Sequence, residues 1–157
     1  IASSPSRARI VSEADEMNLA PIIARLVAEC PEFFSIESAT GINTIEREGY
    51  PTAGVHPLSE RPDGGTMVAG CIKQEVVVDF AVIIAAHAME PTTGLDPLDD
   101  ARKSISAALL GYKRPEWLDA IEFVAGDIVA IESAKTLWRD VYRTKILYEA
   151  PITRDTA

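Results

Sequence analysis

Apolar residues recur every three to four positions in two segments of the chain, which places them on one face of a helix. The first segment covers residues 19–29 and ends at Pro31, which cannot continue a helix. The second begins after Asp96, with Pro97 at its first position, and ends near Gly111, as helices with these caps do. The buried faces are expected to comprise Leu19, Ile22, Ile23, Leu26, Val27 and Cys30 in the first helix, and Leu98, Ala101, Ile105, Ala108 and Leu109 in the second. Each helix must therefore pack its apolar face on a larger element.

A two-residue alternation of side chains dominates the middle of the chain and predicts a long β-strand. Residues 67–72 and 73–86 form either one strand or two strands joined by a bend near Gly70. One face of this strand is wholly apolar, and the other mixes charged and apolar residues. The first face comprises Val76, Val78, Phe80, Val82 and Ile84, and the second comprises Glu75, Val77, Asp79, Ala81 and Ile83. We therefore expect the first face to meet the helices and the second to meet water or a neighbouring subunit.

Several shorter extended segments complete the predicted sheet. Prolines bracket Tyr50–Leu58, which favours a sheet edge because proline cannot donate a ladder hydrogen bond. Ser59–Gly65 combines proline, glycine and charge, so we expect a mobile loop. Further strands are predicted at Phe33–Ser38, Ile121–Val124, Ile128–Ser133 and Trp138–Glu149. A hairpin-like turn is predicted at Ala125–Asp127, between the second and third of these strands. The last strand is expected to place Trp138, Tyr142, Ile146 and Tyr148 on one face. The order of helix, strands, helix and strands predicts an α+β fold with a mostly antiparallel sheet.

The length of 157 residues fits one domain, and the chain contains no internal repeat or interdomain linker. Residues 1–17 are expected to form a flexible N-terminal arm, with a short edge strand around Ala8–Val11. Residues 18–150 are expected to form a single α+β domain, followed by a flexible C-terminal tail at residues 151–157.

The charge balance and the apolar runs restrict the classes of function. A formal net charge of -9 disfavours specific binding to nucleic-acid phosphates. The longest apolar stretch, Val76–Met89, is too short and too polar to cross a membrane, because Asp79 and His87 interrupt it. Residues Ile1–Arg9 lack the apolar core of a signal peptide. We therefore expect neither membrane insertion nor specific nucleic-acid binding.

The residue types that usually carry catalysis or metal binding are sparse and dispersed. Cys30 and Cys71 form no CxxC pair and are expected to be free thiols in a reducing compartment. His56 and His87, the only histidines, lie about thirty residues apart, which does not resemble the ligand spacing of a zinc site. The sequence contains neither a GxSxG elbow nor a GxxxxGK[ST] phosphate loop. We therefore expect no metal, no cofactor and no enzymatic activity.

Two chemical hypotheses nevertheless stay open at this point. A small hydrolase could use Glu75 and Asp79, which lie on the same strand face, as paired carboxylates. A ligand-binding module could place a pocket near Trp117 and Trp138. A strip of carboxylates that faces solvent or a subunit, and aromatic residues that pack within the sheet, explain the same residues more simply.

Five segments taken in order resemble the tail terminator (tail completion) proteins of long-tailed bacteriophages and of related tail-like or gene-transfer particles. The resemblance covers about residues 17–149. Its segments are CPEFF, YPTAGVHPL, QEVVVDFAVIIAAHA, DPLDDARKSISAALLGYKRP and IEFVAGDIVAIESAKTLWRDVYRTKI. It implies two main helices packed on one face of a mostly antiparallel sheet, and it implies no cofactor and no active site.

The resemblance also implies a structural role in the virion tail, with assembly in the host cytoplasm. Such a protein would associate with itself into a hexameric ring that caps the tail tube, stops its polymerisation and joins the tail to the head connector (neck) protein. DNA would pass through the lumen without specific binding, which an acidic protein favours. Another neck or head–tail joining protein is the alternative within this class. The residues expected at the assembly interface are Arg61, Asp63, Met67, Glu75 and Asp79.

Overall fold

The computed structural model describes residues 18–39, 49–88, 96–132 and 134–155, and within these it contains two helices and one five-stranded sheet. The elements in chain order are α1 (Ala20–Glu29), β1 (Ser35–Ser38), β2 (Thr52–Val68), β3 (Cys71–His87), α2 (Pro97–Leu109), β4 (Glu122–Ile131) and β5 (Lys135–Pro151). The strand order is β1-β2-β3-β5-β4, in which β1 and β2 are parallel and every other pair is antiparallel. The predicted α+β fold with a mostly antiparallel sheet is confirmed.

The helix α2 begins and ends where its sequence signals indicate. The Asp96 side chain accepts hydrogen bonds from the backbone N–H groups of Leu98, at 3.1 Å, and of Asp99, at 3.2 Å. These bonds satisfy two of the amides that the first turn of a helix leaves without intrahelical partners. Gly111 has a φ of +80°, the left-handed conformation that glycine adopts freely after a helix. The two predicted caps are therefore confirmed.

Both helices pack on one face of the sheet, as the resemblance implied. Ile22 and Leu26 of α1 and Ile105 of α2 are fully buried in the same core as the apolar face of β3. Val27, which was expected on the buried face of α1, is instead 54% exposed. That core includes all of Val76, Val78, Phe80, Val82 and Ile84. The helices also hold each other, because Arg25 Nε donates to the carbonyl of Ala108 at 2.9 Å. The wholly apolar strand face therefore positions the helical layer.

The β2–β3 hairpin differs from the sequence prediction. Ser59–Gly65, predicted as a mobile loop, lies inside β2 and pairs with β3. The reversal of the chain occurs instead at Ala69 and Gly70, whose φ angles of 51° and 77° fit a two-residue hairpin turn. The loop signals are tolerated because β1 pairs only with Thr52–Val55, which leaves the rest of β2 at the sheet edge, where prolines and bulges are allowed.

The segment Ala125–Asp127, predicted as a hairpin-like turn, is also part of a continuous strand. It lies within β4, which pairs with β5 and contains irregularities between Phe123 and Ala125 and between Ile128 and Ala130. Gly126 is required there for space, because a Cβ atom at this position would lie 2.6 Å from Asp140 Oδ1. The glycine therefore marks a close approach within the sheet and not a reversal of the chain. The predicted arm, including Ala8–Val11, lies outside the described residues.

Candidate assembly surface

The face of the sheet opposite the helices carries a network of ion pairs. Alternation along β5 directs Arg139, Arg143 and Lys145 to this face, while Tyr142 and Ile146 enter the core. Arg139 makes a bidentate pair with Asp127 of β4, with N–O distances of 3.1 and 2.9 Å. Three cations of one strand thus meet carboxylates of the strands and loop around it.

Arg143 and Asp79 form the least exposed pair of this network. Arg143 Nε donates to Asp79 Oδ1 at 2.7 Å, and Arg143 Nη2 donates to Asp79 Oδ2 at 3.2 Å. Arg61 Nη2 of β2 lies 3.9 Å from the same carboxylate, whose side chain is 13% exposed. The hydrogen bonds to Asp79 raise the pKa of Arg143 above its ordinary value. Asp79 therefore binds cations from both neighbouring strands.

Lys145 lies close to three carboxylates on the same face of the sheet. Its Nζ atom lies 2.9 Å from Asp63, 3.5 Å from Glu75 and 3.8 Å from Asp119. The hydrogen bond and charge of Lys145 lower the pKa of Asp63, and the same contact raises the pKa of Lys145. These groups are partly exposed, so each pair contributes little stability by itself. Together they connect the side chains of the β2–β3 hairpin to those of β5.

The structure brings four of the five sequence-predicted interface residues into one region. Arg61, Asp63, Glu75 and Asp79 all join the network, and a depression of about 320 Å³ lies beside Arg61 and Asp63. Met67 lies apart from them near the turn of the β2–β3 hairpin, where it is 69% exposed. The predicted interface is therefore a charged region plus one separate apolar residue.

The geometry of the carboxylates does not favour the hydrolase hypothesis. Glu75 and Asp79 are four residues apart on one strand, which is about 13 Å at the usual rise per residue. The carboxyl groups of a glycosidase pair lie about 5–9.5 Å apart. Each carboxylate is also engaged by a cation, Glu75 by Lys145 and Asp79 by Arg143.

Sequence reasoning missed a buried polar cluster between α2 and β5. Asp140 is 2% exposed at its side chain and accepts two hydrogen bonds from Arg102, at 3.1 and 3.0 Å. The indole Nε1 of Trp138 donates to Asp140 Oδ1 at 2.8 Å, and the Arg102 guanidinium lies 4.5 Å from the Trp138 ring centroid. The signal was available, since Asp140 occupies an inward position of β5 between two aromatic residues.

The tryptophans and histidines do not converge on a site. Trp117 is buried and pairs with Ile146, eight residues along β5 from Trp138, or about 27 Å. His56 pairs with Ala81, six residues along β3 from His87, or about 20 Å. The ligand pocket proposed near both tryptophans therefore does not exist as one cavity among the described residues.

Neither a metal cluster nor a membrane-spanning helix occurs in the described part of the chain. No group of three or more His, Cys, Asp or Glu side chains there could hold a metal ion. Neither of the two described helices is long and apolar enough to cross a bilayer. Cys30 is buried and Cys71 is partly exposed, and both are free thiols. Burial raises the pKa of Cys30 above its ordinary value.

Comparisons with known proteins give this architecture a family. Residues 13–151 match the family described as "Phage tail terminator protein". A comparison with curated protein sequences gave no match. Among solved structures, one similar chain belongs to the "Virion of native gene transfer agent (GTA) particle", with 16% identity, a TM-score of 0.48, and coverage of 90% of this chain and 92% of that chain. That structural likeness is too low to carry a functional conclusion.

The family match spans most of the chain and confirms the resemblance seen in its five ordered segments. The chain therefore belongs to the phage tail terminator family and is a structural protein of the virion tail.

Proposed function

We propose that this chain assembles into a six-membered ring that caps the tail tube, stops its polymerisation and offers a surface to the head connector. The proposal rests on the long β2–β3 hairpin, taken together with the family to which the chain belongs. The outer half of the hairpin is exposed and carries the neighbouring apolar residues Met67, Val68 and Ile72. Contiguous exposed apolar residues on a small protein commonly mark a surface that binds another protein.

The charge distribution supports a channel through which DNA passes without sticking. The chain has a formal net charge of -9. On the sheet face away from the helices, the cations Arg139, Arg143 and Lys145 each contact a carboxylate. Phosphate binding requires cations that can replace condensed counterions, and these cations are already neutralised. Acidic surroundings of this kind repel DNA from a lumen.

The role is structural and not enzymatic in this proposal. The carboxylates Glu75 and Asp79 act as partners in an ion-pair network that fixes the hairpin against β5, and they require no cofactor. Arg61, Asp63 and Met67, on the same hairpin, contribute to contacts with a neighbouring copy, the tube or the connector.

The proposal is tested by polymerisation of the tail tube protein of the same particle, with and without this chain. We expect tubes formed with the chain to stop elongating and to carry a ring at one end, whereas tubes formed alone continue to grow. Electron microscopy measures tube length and the density at tube ends. Unchanged growth and bare ends would contradict the proposal. Density at the connector, with none at the tube end, would instead favour the alternative of another neck protein.

A further inference from the structure

Strand β4 forms one edge of the sheet and exposes apolar side chains. Phe123, Val124, Ile128 and Ile131 are all exposed, and Ile131 is 75% exposed. Natural edge strands usually carry lysine or proline, which discourage pairing with another chain. Residues 122–131 contain neither, and the charged residues among them are Glu122 and Asp127. Asp127 is already paired with Arg139, so this edge is mainly apolar, with Glu122 at its start.

A small notch lies where α2 ends beside β4. It has a volume of about 170 Å³ and is lined by Arg102, Ser106, Leu110, Phe123, Asp140 and Tyr142. Leu110 and Phe123 at its rim are 47% and 44% exposed. A water molecule occupies about 30 Å³ in the liquid, so the notch is large enough for an apolar side chain of moderate size. The β4 edge thus offers an apolar recess.

The turn of the β2–β3 hairpin lies away from β4 and, in contrast to the recess there, forms a projection. Met67, Val68 and Ile72 lie around the two-residue turn at Ala69 and Gly70, and all three are exposed. Between residues 64 and 74 the only charged residue is Lys73. The tip of the hairpin is therefore an apolar projection with one charged residue, Lys73, which lies 4.0 Å from the exposed Glu149.

These two surfaces differ in shape and charge and occur once in every copy of the chain. A contact between two different surfaces of identical subunits is heterologous, and it generates a ring when the rotation between subunits closes. We propose that the β4 edge and its notch bind the β2–β3 hairpin tip of a neighbouring copy, with Lys73 facing Glu122. The inference rests on the proposed ring and assigns the two faces through which its subunits join.

Cysteine cross-linking tests the contact directly. In a Cys71→Ser background, which removes the thiol at the tip, one variant carries Met67→Cys and another carries Ile128→Cys. Ile128 lies on β4, exposed on the side of the sheet that faces the helices. Mixing the two variants at high concentration under oxidation is expected to give disulfide-linked heterodimers. Each variant alone is expected to give at least tenfold less dimer, because a head-to-tail contact brings unlike surfaces together.

A matched control replaces Ile128→Cys by Val27→Cys, at an exposed apolar residue of α1. Equal cross-linking of Met67→Cys with this control, or preferential Ile128-to-Ile128 cross-links, would overturn the assignment. Lys73→Glu provides a second readout, since it places an acid opposite Glu122 and should reduce heterodimer yield severalfold at low salt.

The outcomes also separate this inference from the proposed function. Rings at tube ends without the Met67–Ile128 cross-link would overturn the assigned faces and leave the ring proposal intact. Cross-linking of the Ile128→Cys variant to the tube protein, and not to a second copy of this chain, would likewise overturn the assigned faces and leave the ring proposal intact. If neither rings nor Met67–Ile128 cross-links form, with or without tubes, the ring proposal and the assigned faces are both overturned.

Discussion

Asp140 accepts three hydrogen bonds from two residues, and both residues lie close to the edge strand β4. Its carboxylate binds Arg102 in a bidentate manner and accepts a hydrogen bond from the Trp138 indole. The backbone of Gly126 in β4 approaches so closely that a Cβ atom would lie 3.1 Å from both Arg102 Nη2 and Trp138 Nε1. The cluster therefore links α2, β5 and β4, and it supports the notch beside β4.

The substitution Asp140→Asn is expected to destabilise the protein by about 3 kcal/mol. Removal of one partner from a buried pair typically costs about 3–5 kcal/mol, and the lower end applies because the Arg102 side chain is 32% exposed. Urea unfolding gives the free energy. Asp127→Asn is the matched control, because Asp127 makes the same type of bidentate pair with Arg139 at an exposed site. It should cost about 1 kcal/mol or less. Equal losses for the two variants would contradict a special role of the buried carboxylate.

A second residue-scale prediction concerns the pKa of Asp63. Lys145 lowers this pKa below its ordinary value of 3.8, so Lys145→Gln should raise it towards 3.8. The carboxyl carbon chemical shift of Asp63, followed against pH by NMR, gives the pKa directly. Lys73→Gln is the control, because Lys73 contacts Glu149 and should leave the pKa of Asp63 unchanged.

The direction of the pH dependence follows from the same contact. Because the pKa of Asp63 is lowered in the folded state, its contribution to stability is present above pH 3.8 and is lost as pH falls through the lowered folded pKa. The pKa of Lys145 is raised, so its contribution is present below pH 10.5 and is lost as pH rises through the raised folded pKa. An unchanged pKa of Asp63 in Lys145→Gln would show that the ion pair does not form in solution.

At the scale of elements, the sequence was most informative where one strong pattern acted locally. The caps Asp96 and Gly111 and the apolar face of β3 are properties of contiguous residues, and they were predicted correctly. The loop predicted at Ser59–Gly65 and the turn predicted at Ala125–Asp127 are wrong, because local loop signals do not show the strands with which these segments pair. Pairing with β3 and β5, together with bulges at sheet edges, accommodates proline and glycine in a strand.

The candidate surface was predictable only in part for a related reason. Arg61 and Asp63 were predicted in a mobile loop and Glu75 and Asp79 on a strand, and the register of the β2–β3 hairpin brings them together. Their partners Arg143 and Lys145 come from a strand more than sixty residues away, and sequence spacing gives no register between β3 and β5. The apolar β4 edge was missed because Gly126 was interpreted as a turn.

The hairpin turn allows an element-scale prediction. Ala69 has a φ of 51°, and an ordinary L-residue pays roughly 1–2 kcal/mol in the left-handed region. Asn-Gly is the preferred pair for such a turn, so Ala69→Asn should stabilise the protein by about 0.5–1 kcal/mol. Thermal or urea unfolding measures the change. Thr66→Asn, in the extended part of the same hairpin, should give no stabilisation. A loss of stability in Ala69→Asn would indicate that the chain does not reverse at this position.

At the scale of the whole molecule, one sheet has three surfaces with different tasks. The helix-facing side forms the core, the opposite side carries an ion-pair network, and the perimeter exposes apolar residues at the β4 edge and at the tip of the β2–β3 hairpin. A closed ring would use the β4 edge and the hairpin tip for contacts between subunits and leave the charged face and the helices free to contact other components. This division explains how a chain with no clustered catalytic groups among its described residues can act as an assembly component of a phage tail.

The measurement that tests the central claim most directly is electron cryomicroscopy of tail-tube ends assembled with this chain. The account predicts a closed ring of six copies at one end of the tube, with the β2–β3 hairpin of each copy on the β4 edge of the next. Tube ends that lack the chain, or that carry it as isolated copies without contacts between them, would contradict the account.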